Sequence, residues 1–379
     1  MSNIQKVKVA SILSSGVFWA IIIVSFLMSR GLSKGEVFRF IGGYYILTVL
    51  LEYPTGVIGD YFSHKFSVIS GYLLLTFGMF YLTIVGHSVW GVAFFYLIYA
   101  LGASLISGSN TALLHTVSND FKKDLAQVKF YSVLMTAFGF SFGAWLGSFN
   151  LNYPFYLTGA LFFLAGMILF SVKVKQKKNQ QGNLFLAAGD GLKYFLQNKV
   201  VMYLVGISAL TGAFFYNLKW LYNALFLELN FDIKYGGAVA GIALLFVSLG
   251  IVFYQKSKIK SITLNLLLLS LIVAMLLMGT TRYLFISLAG TLLVNFIRGV
   301  LSTKLVIEIN KVIQDENRAS ILSLKSLLLR LTASLIVFIA GFVLDRWSFF
   351  VLMLILGLVI GGISLLLSAL LKMKNKTVI

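Results

Sequence analysis

The chain has 379 residues, 59% of them hydrophobic and 11% charged, with a mean hydropathy of +0.93, which lies outside the range of soluble globular domains. Its net charge of +19 comes from 31 Lys and Arg against 12 Asp and Glu. Cysteine is absent, which excludes disulfides, thiol catalysis and thiolate metal sites.

Apolar runs of about 20 residues, each enough to cross a hydrocarbon core of roughly 30 Å, recur along the whole length. They predict an all-α polytopic membrane protein with twelve spans, near 10–29, 37–59, 66–86, 89–113, 127–148, 153–172, 200–224, 234–254, 262–279, 283–306, 320–343 and 348–371. The opening MSNIQKVKVASILSSG places two lysines before an apolar run. That run is too long for a signal peptide and lacks a clear cleavage site, so it reads as the first span.

Charge then orients the spans. With the N-terminus inside, one side receives Lys6, Lys8, Lys65, Lys122, Lys123, Lys129, Lys173, Lys175, Lys177, Lys178, Lys193, Lys199, Lys256, Lys258, Lys260, Lys311, Arg318, Lys372, Lys374 and Lys376. The other keeps only Arg30, Lys34, Arg39, Lys234, Arg282 and Arg346. By the positive-inside rule both termini are cytoplasmic. The excess positive charge is thus a mark of topology, and no nucleic-acid partner is expected.

The one long connection, residues 173–199, divides the chain into six-span halves, 1–172 and 200–379. Its second part sets Leu184, Phe185, Leu192, Phe195 and Leu196 roughly on one face, as in a helix lying on the membrane surface, and the basic run before it reads as an anchor to membrane lipids. The halves carry a faint repeat. Gly56-Val-Ile-Gly-Asp60 and Gly250-Ile-Val-Phe-Tyr254 close the second and eighth spans, and Gly143-Ala-Trp-Leu-Gly147 and Gly341-Phe-Val-Leu-Asp345 close the fifth and eleventh. Two pseudo-symmetric six-helix bundles are a transporter pattern, with the substrate site near the midplane.

At the end of span two, LLEYPTGVIGDYFSHK sets Gly56 and Asp60 four residues apart on one helix face. Gly56 is expected to permit close helix approach, and Asp60 to accept hydrogen bonds from a neighbouring helix N-terminus or a basic side chain. This stretch resembles the signature loop of the major facilitator superfamily, Gly-x-x-x-Asp-(basic)-x-Gly-(basic)-(basic). Gly56, Asp60 and Lys65 match, His64 sits at a basic position, and Tyr61 and Ser63 depart from the pattern. Glu52-Tyr-Pro-Thr-Gly56 is similar to the Glu-x-Pro-x-Gly segment of facilitator exporters. Ser107-Gly108-Ser109-Asn110-Thr111-Ala112-Leu113 resembles their fourth-span pattern, and Asn317-Arg318-Ala319-Ser320, followed by Ser323 and Ser326, the entry to span eleven. The resemblance implies the major facilitator fold, with a conformational latch at Gly56, Asp60 and Lys65.

Gly139, Gly143 and Gly147 repeat every four residues in span five. They resemble a fifth-span motif of drug/proton antiporters that lacks its proline, and close helix packing explains them equally well. The fourth span, YALGASLISGSNTALL, lacks the arginine those exporters often carry there.

Ionisable residues inside spans cost roughly 2.5–3.5 kcal/mol each and are functional candidates by default. Among them are Glu52, Lys219, Arg298 and Arg330, with Asp60, Lys304 and Glu308 at the cytoplasmic edge. Eight residues separate Glu52 from Asp60, about 12 Å along a helix, and Arg298 and Arg330 fall at a similar depth. Spans two and eleven meet in the family fold, so the resemblance implies that Glu52 faces Arg330, or Arg298, in the outward-facing state. Protonation of Glu52 would release that contact; a permanent structural ion pair is the alternative. Spans one, four, seven and ten line the path in this superfamily, which makes Trp19, Asn110, Tyr216, Asn217, Trp220 and Asn295 substrate-cavity candidates.

No phosphate-binding Gly-x-x-x-x-Gly-Lys-(Ser/Thr) loop is present, and His64, His87 and His115 are too scattered for a metal site. No cofactor, no metal and no enzymatic activity are expected. The sequence reads as a monomeric secondary transporter in a plasma membrane, of bacterial type, exporting small amphipathic molecules against protons. Uptake, flipping of a lipid-linked molecule, and a non-transporting sensor or scaffold are the alternatives.

Overall fold

A computed structural model describes residues 1–85, 88–174, 193–256, 263–280, 283–314 and 317–374, with Asp60, Ala319, Lys372 and Lys374 defined by their backbone alone. Short polar residues start most helices. Ser2 and Ser33 form capping boxes with Gln5 and Glu36 at the heads of α1 (Asn3–Leu13) and α3 (Lys34–Tyr61). Ser63 caps α4 (His64–Ile84), Ser88 caps α5 (Val89–Ile106) and Asp120 caps α7 (Phe121–Phe149). Asn198, Thr263 and Ser348 do the same for α9 (Lys199–Glu228), α11 (Leu264–Gly279) and α14 (Phe349–Leu356). Each cap satisfies a backbone N–H at a helix start, where a bilayer offers no substitute. The remaining helices are α2 (Ile23–Ser29), α6 (Ser109–Val117), α8 (Tyr153–Phe170), α10 (Ile233–Lys256), α12 (Leu284–Val312), α13 (Arg318–Arg346) and α15 (Gly362–Lys374).

All described elements are helical, and ten of the twelve expected spans are formed by helices long and apolar enough to cross a membrane. The ninth, α11, has only 16 residues. The first differs most from expectation: the run 10–29 is no continuous helix but breaks between α1 and α2. The physical cause is local. Ser14 and Ser15 both turn their hydroxyls back to the Ser11 carbonyl, and Gly16 follows in a tight turn, its N–H bonded to the Leu13 oxygen. Thr136 of α7 donates to the Ser15 carbonyl at 3.0 Å, a second bond to the oxygen that also accepts from the Val17 N–H in the turn. Span four is interrupted at Gly108, whose φ of +65° suits glycine. Span twelve passes through a π-helical turn at Gly357–Gly361.

The chain forms two compact units, Met1–Gln180 with Phe231–Gly241, and Gln181–Asn230 with Ile242–Ile379. The core of the first holds Trp19, Phe26, Tyr72, Phe95 and Phe155; that of the second holds Phe214, Leu268, Leu271, Met275 and Phe349. Large apolar side chains also lie exposed along both, among them Leu73, Phe77, Phe163, Met167, Leu245 and Leu249. So much exposed apolar surface is tolerable only against lipid.

In the first unit the glycines of α7 receive the broken segment. A Cβ at Gly139 would lie 3.4 Å from the Val17 nitrogen, and one at Gly147 would lie 3.2 Å from the Ile22 side chain. At Gly143 it would collide with the Phe18 backbone, 2.8 Å from both its Cα and carbonyl carbon and closer still to the oxygen. Gly237 and Gly241, one turn apart in α10, pack against the other side of α7, on the Phe140 and Ala137 carbonyls and Ser141. In the second unit α10 and α12 cross at Gly250 and Gly299, each seated on the other helix's backbone.

Of the expected surface helix, Leu184, Phe185 and Leu192 lie outside the described residues. Phe195 and Leu196 fall in a helical turn at 193–197, half-buried and exposed respectively.

Candidate functional site

The polar residues of the first unit gather where α3 and the interrupted span four meet. Pro54 removes one backbone N–H from α3, and Thr55 turns its hydroxyl to the Leu51 carbonyl at 2.7 Å. Two residues before the proline, the half-buried Glu52 accepts a hydrogen bond from Ser107 Oγ at 3.2 Å. Ser107 ends α5 and Gly108 reverses the backbone into α6. A carboxylate thus touches a helix interruption, and two segments singled out in the sequence meet. Asn110, one turn on, accepts from Ser11 Oγ of α1 at 3.1 Å.

The close approach expected at Gly56 is not found. Among the described residues nothing lies within 4 Å of a Cβ placed there; the tight glycine is Gly59, where a Cβ would meet Ser109 Oγ at 2.7 Å. The helix turns its other face to its neighbours. The Asp60 side chain lies outside the described residues. Lys65 donates to the Phe170 and Val172 carbonyls at 2.8 and 2.7 Å, capping the C-terminus of α8. Lys65→Met should therefore lower stability by about 1–2 kcal/mol, read by thermal unfolding in detergent; unchanged unfolding would show that the cap is idle.

Trp19 is packed edge-on against Tyr99, with ring centroids 5.2 Å apart, and also meets Phe95 and Phe155. It serves as core in this unit.

The second unit holds a second polar group. The Lys219 ammonium stands over the rings of Tyr216 and Trp220, 5.2 and 4.6 Å from their centroids. One turn further along α9, the Tyr222 oxygen accepts from Asn295 Nδ2 of α12 at 2.6 Å, and the same Nδ2 donates to the Thr291 carbonyl at 2.8 Å. Arg298, one turn beyond Asn295, interacts electrostatically with both Lys219 and Tyr222. Asn217 faces away from this group and donates to the Ala333 carbonyl of α13 at 2.9 Å. Trp220, Asn217 and Asn295 are buried, whereas Tyr216 is 41% exposed. Glu52 belongs to the first unit, and Arg298 and Arg330 to the second.

Two surface depressions, of about 490 and 380 Å³, are lined by Tyr194 with Gln197, Asn198, Lys199 and Val200, and by residues around Lys8 and Asp124. Neither includes any of these candidates. Both lie at helix ends and open to solvent, so the buried polar clusters are the better guide to chemistry. Tyr222 is not among the candidates that the sequence alone suggests. The signal was its place three residues after Lys219, on one helix face.

The family model of the Major Facilitator Superfamily matches residues 8–326. The chain belongs to that superfamily and is a multi-pass membrane protein with the major facilitator fold. Solved structures agree on the fold. The nucleoside transporter NupG is 15% identical, with 98% of this chain and 99% of that chain covered and a TM-score of 0.78. A D-xylose-proton symporter is 13% identical over 96% of each chain, TM-score 0.72. A bacterial homologue of the lysosomal transporter Spinster is 12% identical over 99% of this chain and 97% of that one, TM-score 0.74. No curated protein matches the chain significantly in sequence.

Proposed function

We propose that the protein is a secondary transporter of the plasma membrane, with both termini cytoplasmic, that exports small amphipathic molecules by alternating access in exchange for protons. The observation that carries this reading is the contact between Glu52 and Ser107 at the interruption of span four. Ionised, Glu52 only accepts, and Ser107 donates to it. Protonated, it gains a donor of its own and loses its charge, which weakens the hold on the residue preceding Gly108. Proton binding at one carboxyl is thereby tied to the geometry of a helix break.

The Gly56–Lys65 segment acts as the latch, with Lys65 fixing its far end to α8. Bundles 1–172 and 200–379 are the moving bodies, joined by 173–199. The protein works as a monomer. The strong Lys and Arg bias toward one side supports the orientation.

The test is proton flux in liposomes containing the pure protein, under an imposed pH gradient, while amphipathic compounds are added. Compound-dependent proton movement is expected in the wild type and its loss in Glu52→Gln. Undiminished coupling in that variant would end the role of Glu52. Proton flow in the same direction as the compound would replace antiport by symport, the mode named for the D-xylose-proton symporter. The absence of any compound-driven switching between inward- and outward-open forms would leave a sensor or scaffold.

A further inference from the structure

We infer that Lys219, Tyr222, Asn295 and Arg298 form an oxyanion-binding site in the second unit, which receives the carboxylate or phosphate head of an amphipathic substrate. This deepens the transport reading by naming the charge of the molecule carried.

Hydrogen-bond accounting points there. Asn295 is fully buried. Its amide orientation is fixed by the Thr291 carbonyl, which can only accept, so Nδ2 faces that oxygen and Tyr222. With Tyr222 accepting from the amide, its own phenolic proton is left to donate elsewhere. Lys219 and Arg298 have no acceptor capacity at all. Three donors, two of them cationic, therefore come together, and the single remaining acceptor is Asn295 Oδ1, buried without a hydrogen-bond partner. A ligand that fits must bring several acceptors and negative charge, with one hydroxyl or N–H for that amide oxygen.

No carboxylate among the described residues compensates these charges. Among the described residues neither Lys219 nor Arg298 forms an ion pair. Glu228 is occupied by the Phe349 backbone N–H at 2.8 Å, and Glu308 by Lys311 at 3.0 Å. Two interacting like charges inside a membrane bundle are unfavourable until an anion joins them. Lys219 rests meanwhile over two aromatic rings, a weak hold that an oxyanion outcompetes. The exposed Tyr216 ring beside it offers an apolar face to the body of such a molecule.

The experiment is a titration of the full-length protein in nanodiscs, read by tryptophan fluorescence and thermal unfolding. The probes are benzoate, phenyl phosphate, benzyl alcohol and benzylammonium. Benzoate or phenyl phosphate should bind at least about tenfold more tightly than benzyl alcohol, as expected for charge-assisted hydrogen bonds, and benzylammonium not at all. Whichever of the two anions binds more tightly assigns the head group as carboxylate or phosphate. Lys219→Gln and Arg298→Gln should each weaken the anion about tenfold or more and leave benzyl alcohol unchanged. Lys219→Arg should restore binding, and Tyr222→Phe, which keeps the ring and its packing, should weaken it severalfold. Equal binding of anion and alcohol, undiminished anion binding in both glutamine variants, or no binding of either anion would overturn the site. Because no gradient is involved, anions that bind but are never transported would refute the transport reading alone. Transport of other amphiphiles without anion binding would refute the site alone.

Discussion

Gly143→Ala should leave little folded protein, whereas Gly139→Ala, four residues away on the same face, should be nearly neutral. The difference lies in what an added methyl group meets. At Gly143 it falls onto the Phe18 backbone, which is held by its chain neighbours and cannot rotate aside. At Gly139 the nearest atom is 3.4 Å away, an ordinary contact. Gly147 is intermediate, since its neighbour at 3.2 Å is the movable Ile22 side chain. Overpacking a tight interior costs about 1–3 kcal/mol where side chains yield, and more where only backbone can move. Monodisperse yield on size exclusion and the unfolding midpoint should rank the three as Gly139, Gly147, Gly143, from mildest to most severe. Equal behaviour would mean that the segment 16–22 does not lie against α7 as described.

Gly250→Ala and Gly299→Ala should each be severely destabilising, yet the double variant should cost much less than the two together. Each added methyl group strikes the opposite backbone: at Gly250 it lies against the Phe296 carbonyl and 3.2 Å from Gly299 Cα, and at Gly299 against the Val247 carbonyl and 3.0 Å from Gly250 Cα. One substitution already forces α10 and α12 apart, and the second finds the space open. Neighbours that share one strain couple by about 0.5–3 kcal/mol. Thermal unfolding of both single variants and the double variant measures that coupling. Simple additivity would show that the helices do not cross at this pair.

Much of the architecture can be read from hydropathy, because a bilayer demands long apolar helices and little else satisfies the backbone. The interruptions cannot be read that way. Residues 10–29 are apolar enough to be taken as one span, but Ser14, Ser15 and Gly16 end the helix and Thr136, far along the chain, stabilises the end. Ser107 and Gly108 were visible as a motif, yet only the fold brings Ser107 to Glu52. Gly56 and Gly59 look alike in sequence, and facing alone makes one open and the other tight. The Gly237–Gly241 pair is a small-residue repeat like that of span five, hidden inside an apolar run. Asn295 stands out in the sequence by its polarity, whereas Tyr222, its partner, looks like one more aromatic in a chain with 18 tyrosines.

The break between α1 and α2 has a consequence for biosynthesis. The groove that holds residues 16–22 is made by Gly139, Gly143 and Gly147, which leave the ribosome more than a hundred residues later. Until α7 arrives, the first segment lacks both its glycine groove and the hydroxyl of Thr136. The beginning of the chain therefore reaches its final shape only after the fifth span has entered the bilayer, and during that interval it depends on the insertion machinery, or on lipid, to shelter its exposed carbonyls.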